Sequence, residues 1–171
     1  SALAANTPVT PNTAVGQGSL TSNTTGNSNT AMSKNSLSAN TTGSHNTAIG
    51  HNALLTQTTT DSNTAVGSQT LKVATGSNNV AVGHDALTLN TTGAQNTAVG
   101  KSAMAAVTTG IDNVAVGAFS ADTLTTGSDN TSIGYNSLTN ITTAANSVAC
   151  GESALESVTT GNRNTGIGSK A

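Results

Sequence analysis

Apolar and polar positions along this 171-residue chain recur every seventeen residues, without the 3.6-residue order of a helix. The unit reads Asn-Thr-Ala-Val-Gly-x-x-Ala-Leu-x-x-x-Thr-Thr-Gly-x-x, and its clearest copy runs from Asn96-Thr97-Ala98-Val99-Gly100 through Thr108-Thr109-Gly110. Glycine marks the fifth position at Gly16, Gly50, Gly67, Gly83, Gly100, Gly117, Gly134, Gly151 and Gly168, with Ser33 in the one gap. Each step is seventeen residues except Gly67 to Gly83, which is sixteen. Roughly ten copies fill residues 1–171, so the chain reads as a single repeat domain without linkers.

Two columns carry the large aliphatic side chains. The fourth position holds Val15, Met32, Ile49, Val66, Val82, Val99, Val116, Ile133, Cys150 and Ile167. The ninth holds Leu20, Leu37, Leu54, Leu71, Leu87, Met104, Ala121, Leu138 and Leu155. One unit cannot close a core from two such residues, but stacked units form two continuous aliphatic ladders. The pattern therefore predicts an all-β fold, a parallel β-solenoid of about ten coils. Each coil is expected to hold two short strands, joined by turns at the Gly16 and Gly26 columns where positive φ is permitted. On this reading the fourth and ninth columns form the core. Alternation then turns the third column outward as a packing face: Ala14, Ala48, Ala65, Ala81, Ala98 and Ala115. The Asn column (Asn12, Asn29, Asn46, Asn63, Asn79, Asn96, Asn113, Asn130, Asn164) suits a side-chain amide ladder between coils. At ~4.8 Å per coil the rod is ~48 Å long.

The segment Asn146-Ser147-Val148-Ala149-Cys150-Gly151 resembles the Asn-Ser-Val-Ala-Ile-Gly signature of YadA-like head repeats in trimeric autotransporter adhesins. The whole unit is also similar to repeats of phage tail-fibre and large-virus surface proteins. The resemblance implies a left-handed parallel β-roll, often trimeric, with the small-residue face turned towards partner chains. Head repeats of that family are typically shorter than seventeen residues, and this sequence shows no coiled-coil stalk or membrane anchor.

Composition narrows the function. There is no Trp, and one Tyr and one Phe; Thr (33), Asn (21) and Gly (18) take their place. Leu, Ile, Val and Phe number 29, low for a globular core, yet only 12 residues are charged and the net is −2, unlike a disordered chain. Five basic residues cannot make a phosphate-binding surface, so nucleic acid is excluded as a partner. No apolar run approaches a membrane span and no signal-peptide pattern is visible. All charges fall at positions six, seven, ten, sixteen and seventeen, as expected of solvated corners.

No nucleophile elbow, phosphate loop or metal-protease motif occurs, so neither enzyme nor cofactor is expected. His84 and Asp85 read as a solvated pair. His51 and His84 share a column two coils apart, ~9.6 Å, too far to ligate one ion. His45 lies at another corner. Cys150 replaces Val or Ile in the presumed core and reads as an inert buried thiol. The five Asn-x-Ser/Thr sequons (Asn23, Asn40, Asn90, Asn130, Asn140) follow from an Asn/Thr-rich repeat.

The expected function is a non-catalytic segment or self-assembling subunit of an extracellular fibre, at a cell surface or on a virion, serving attachment. Its expected partners are other copies, side by side as a trimer or end to end, and a surface receptor or glycan. Ice binding by Thr and Asn ladders is the alternative. Adjacent threonines such as Thr108-Thr109 alternate faces, however, so each pair gives one outward column and no Thr-x-Thr array. The residue before Thr-Thr drifts from Asn23, Asn40 and Asn90 to Val107, Leu124, Ile141 and Val158, which suits a C-terminal half that packs differently, against partners. Ser1-Ala2-Leu3 aligns with Ser153-Ala154-Leu155 and the chain stops at Lys170-Ala171, so a near-integer number of coils points to longitudinal continuation. Pro8 and Pro11 each remove an amide donor from the first coil.

Overall fold

A computed structural model describes residues 1–5 and 11–171; Pro8 lies outside the described residues. Among the described residues ten three-residue strands follow one another: β1 (Thr13–Val15), β2 (Thr30–Met32), β3 (Thr47–Ile49), β4 (Thr64–Val66), β5 (Val80–Val82), β6 (Thr97–Val99), β7 (Val114–Val116), β8 (Thr131–Ile133), β9 (Val148–Cys150) and β10 (Thr165–Ile167). They form one parallel sheet in sequence order. Register is strictly like on like: Thr97 pairs Val114, Ala98 pairs Ala115, and Val99 pairs Val116. The chain is thus a β-solenoid with one strand per coil.

The second strand expected in each coil is replaced by a bend. The ninth-position residues, from Leu3 to Leu155, have φ between 47° and 51°, and seventh-position residues such as Asn52 (59°) are left-handed too. Two left-handed residues so close together curl the backbone instead of extending it. This also explains the column's chemistry. A β-branched side chain is a severe outlier at that φ, and the ninth position holds Leu, Met or Ala but never Val or Ile.

The strand faces are the reverse of the expected ones. The third column points inward: Ala48, Ala65, Ala81, Ala98 and Ala115 are completely buried, and Ala14, on the edge strand, packs half-buried against the same core. The fourth column points outward. Val15, Ile49, Val99, Val116, Ile133, Cys150 and Ile167 are exposed, as is Met32, and Val66 and Val82 are half-buried. The reason is room. Across the narrow coil the strand faces the ninth-position side chain, and at the one glycine of this column, Gly166, an added Cβ would sit 2.7 Å from Leu155 Cγ. At Gly166 even a methyl would press on Leu155, and in the other coils the position takes only Ala or Ser, never an isopropyl. The ninth column itself is core as expected: Leu20, Leu37, Leu54, Leu71, Leu87, Met104 and Leu138 are fully buried, and Leu155 packs half-buried at the end.

The residue before Thr-Thr is also interior. Asn23, Asn40, Gln57, Ala74, Asn90, Val107, Leu124 and Ile141 are all buried. Their drift from amide to aliphatic is a change of core chemistry along the rod, so it marks no partner surface. In the amide half, Asn40 Nδ2 donates to Asn23 Oδ1 at 2.8 Å and to the Gly43 carbonyl at 3.0 Å.

The Asn column bonds backbone more than neighbouring amides. Asn46 N–H donates to Asn29 Oδ1 (3.0 Å), and Asn29 Nδ2 donates to the Gly43 carbonyl (2.8 Å). Side-chain-to-side-chain bonds are added from Asn79 onward, as from Asn113 Nδ2 to Asn96 Oδ1 at 3.1 Å. Each amide thereby ties one coil to the coils before and after it, which fixes the register.

The two glycine columns have different causes. Gly100 and its equivalents have φ near 135°, as expected. Gly26 and its equivalents do not adopt positive φ; a Cβ at Gly26 would run into the Gly43 carbonyl oxygen. Close stacking, not conformational freedom, demands glycine there. The sixteen-residue coil loses the second threonine. Thr75 takes the role of the first, its N–H and Oγ1 both 2.6 Å from the Thr91 carbonyl, and Gly76 follows at once.

Candidate interaction face

Because the third column is interior, the second and fourth columns together make one outer face, ten strands long. Its first column is Thr13, Thr30, Thr47, Thr64, Val80, Thr97, Val114, Thr131, Val148 and Thr165; its second is the Val/Ile/Met/Cys column. No strand residue on any coil is charged. Val80, Val114 and Val148 are each 36–40% exposed, which makes the face more apolar from β5 onward. Cys150 sits in this face with its thiol exposed, contrary to the buried position expected for it. Sequence reasoning missed the face because alternation allows either assignment. Size variation holds the signal: the third column never exceeds Ala or Ser, as a confined interior requires, whereas the fourth varies freely among Val, Ile, Met and Cys.

Charges border this face. Lys34, Lys101, Glu152 and Lys170 are exposed, and among the described residues no charged side chain is buried. His84 Nδ1 lies 2.9 Å from Asp85 Oδ2 on the surface. Beside β7 and β8 the two aromatic rings meet: Phe119 and Tyr135 stand edge to face at 6.2 Å, with Lys101 Nζ 5.2 Å from the Phe119 ring. Phe119 thus meets Lys101 of the coil before and Tyr135 of the coil after, so the group links three successive coils. The group staples its own corner, and Tyr135 stays 52% exposed.

Thr-Thr pairs divide as alternation requires. The first hydroxyl turns to the next coil, as Thr41 Oγ1 does to the Thr58 carbonyl at 3.0 Å. The second, as in Thr42, Thr109 and Thr126, is exposed and forms a single column, interrupted at the short coil. Among the described residues no three His, Cys, Asp or Glu side chains gather as a metal site. No helix among them is long and apolar enough to cross a membrane.

An open concavity of about 400 Å³ lies at the C-terminal end of the rod, lined by Leu155, Val158, Lys170 and Ala171. It is where the next coil would place its own ninth- and twelfth-position side chains.

Neither a family model, a curated protein nor a solved structure matches this chain.

Proposed function

We propose that this chain is a non-catalytic rod, a segment or self-assembling subunit of an extracellular fibre that serves surface attachment. The observation that carries the reading is the uncharged outer face, which runs the length of the sheet and leaves aliphatic side chains in water. At ~48 Å by ~10 Å it offers ~500 Å², the upper end of what a monomer typically exposes. Two such faces brought together bury ~1,000 Å², the lower bound of a specific interface. Other copies of the same chain, laid side by side, are the partners this supports. The contact would use the Thr/Val and Val/Ile columns, not the alanines. Stiffness comes from the unbroken hydrogen-bond ladder and the buried Leu and Ala columns.

Ice binding is the weaker reading. From β5 onward the Thr column alternates with Val, and the second outward column has no hydroxyls, so the face lacks a regular polar array. Electron microscopy of the concentrated protein tests the fibre reading. Fibres or bundles of rods are expected. Dispersed short rods with measurable thermal hysteresis would overturn it in favour of ice binding.

A further inference from the structure

We propose that two copies pair face to face with their rod axes antiparallel, related by a two-fold axis that runs along the strands and passes between β5 and β6. This inference rests on the side-by-side contact proposed above and names its symmetry and register.

The two columns of the face select the orientation. A two-fold axis between two such faces runs either along the rod or along the strands. An axis along the rod sets the aliphatic column of each copy against its partner's other column, which is Thr on seven of the ten strands. An axis along the strands sets the aliphatic column on its own counterpart. Placed between β5 and β6, it brings Met32 to the partner's Cys150, Ile49 to the partner's Ile133, Val66 to the partner's Val116 and Val82 to the partner's Val99. All of these side chains are exposed or half-buried in the single chain, so apolar surface leaves water along one continuous seam. The threonine columns meet as a second seam, in which Val80, Val114 and Val148 lie against the partner's Thr97, Thr64 and Thr30.

The charges that border the face select the register, as opposite charges across an interface do. Lys34 follows β2 and Glu152 follows β9, both exposed and both two residues past the strand. Asp85 follows β5 and Lys101 follows β6. Pairing β2 with β9 and pairing β5 with β6 require the same axis. One placement therefore brings Lys34 to the partner's Glu152 and Lys101 to the partner's Asp85, each twice. Among the described residues neither lysine makes an ion pair within its own chain; the one such pair is His84 with Asp85. On the opposite edge the same placement brings His45 to the partner's Asp129. One like-charged pair results, Asp61 with the partner's Asp112, and Asp61 Oδ1 already accepts the Ser44 N–H at 2.6 Å within its own chain. A contact of this symmetry closes on itself and gives a bundle of two rods.

The test exchanges the charges. Lys34→Glu and Glu152→Lys each turn two attractive pairs into two repulsive ones, and each should weaken association in sedimentation roughly tenfold. An equimolar mixture of the two variants restores both pairs between unlike copies and should associate as the wild-type chain does. Cross-linking gives a second readout. In a Met32→Cys variant a short bismaleimide should couple position 32 of one copy to Cys150 of the other, as identified by peptide mass spectrometry. Within one chain these positions are seven coils, ~34 Å, apart, and the two Cys150 thiols of the pair are equally distant, so the wild-type chain should not be coupled. Three results in a chain that does associate overturn the inference and leave the side-by-side reading standing. They are coupling of Cys150 to Cys150, absence of the coupling from position 32 to Cys150, and a mixture that associates no better than its two components. If the wild-type chain does not associate at any concentration, both fall.

Discussion

Ala98 and Val99 are adjacent on β6, yet Ala98 is wholly buried and Val99 is 36% exposed. That pair sets the first expectation. Ala98→Leu should cost on the order of 1–3 kcal/mol or more, because the coil has no space for the added carbons. Val99→Thr should stay within about 0.5 kcal/mol, as surface changes usually do. Urea denaturation of the two variants measures both. The reverse ranking would mean that the strand faces the other way.

The inversion shows what was legible in the sequence. The seventeen-residue period, the parallel stacking and the Leu20-to-Leu155 ladder all followed from spacing, because repetition at a fixed interval has few other solutions. Which strand face is interior did not follow, since period-two alternation is symmetric and hydrophobicity alone favours burying Val and Ile. The coil is too thin for that choice. Ala14, Ala31 and Ala48 sit inside because Leu20, Leu37 and Leu54 already fill it. The missing second strand has a related origin. Left-handed backbone at Leu54 and Asn52 is dictated by closing a narrow coil, and in the sequence it shows only as the exclusion of Val and Ile from the Leu column.

Ser33 holds φ of 112° at a position where every other coil down to Gly168 has glycine. A side chain in that region is strained by about 1–3 kcal/mol. Ser33→Gly should stabilise the protein by about 1 kcal/mol and raise its melting temperature by roughly 2–4 °C, measured by calorimetry.

Leu87 is fully buried with φ of 50°. Leu87→Met, which keeps an unbranched Cβ, should cost less than about 1.5 kcal/mol. Leu87→Ile should cost more, by about 1–3 kcal/mol of backbone strain. Equal losses in equilibrium unfolding would show that volume, not Cβ branching, governs this column.

Four of the five sequon asparagines, Asn23, Asn40, Asn90 and Asn130, are buried, while Asn140 is exposed with its Nδ2 2.8 Å from the Glu156 carbonyl. A glycan attached to any of the four before folding has nowhere to go. Expressed in a host that N-glycosylates secreted proteins, the folded fraction should carry sugar at Asn140 alone, as read by peptide mass spectrometry. Folded protein with a glycan on Asn90 would contradict the interior assigned to that column.

Cys150, exposed on the outer face, provides a native probe of association. In dilute solution its thiol should react with a maleimide without denaturant, and the reaction should slow as concentration brings copies together.

The most direct measurement is the sedimentation of the protein with and without lysines at Val116 and Ile133 on the outer face. A discrete multiple of 16.6 kDa at high concentration, returning to 16.6 kDa once V116K/I133K is added, is the expected result. A protein that sediments as a single 16.6 kDa chain at every concentration would contradict the claim that this face joins one copy to another.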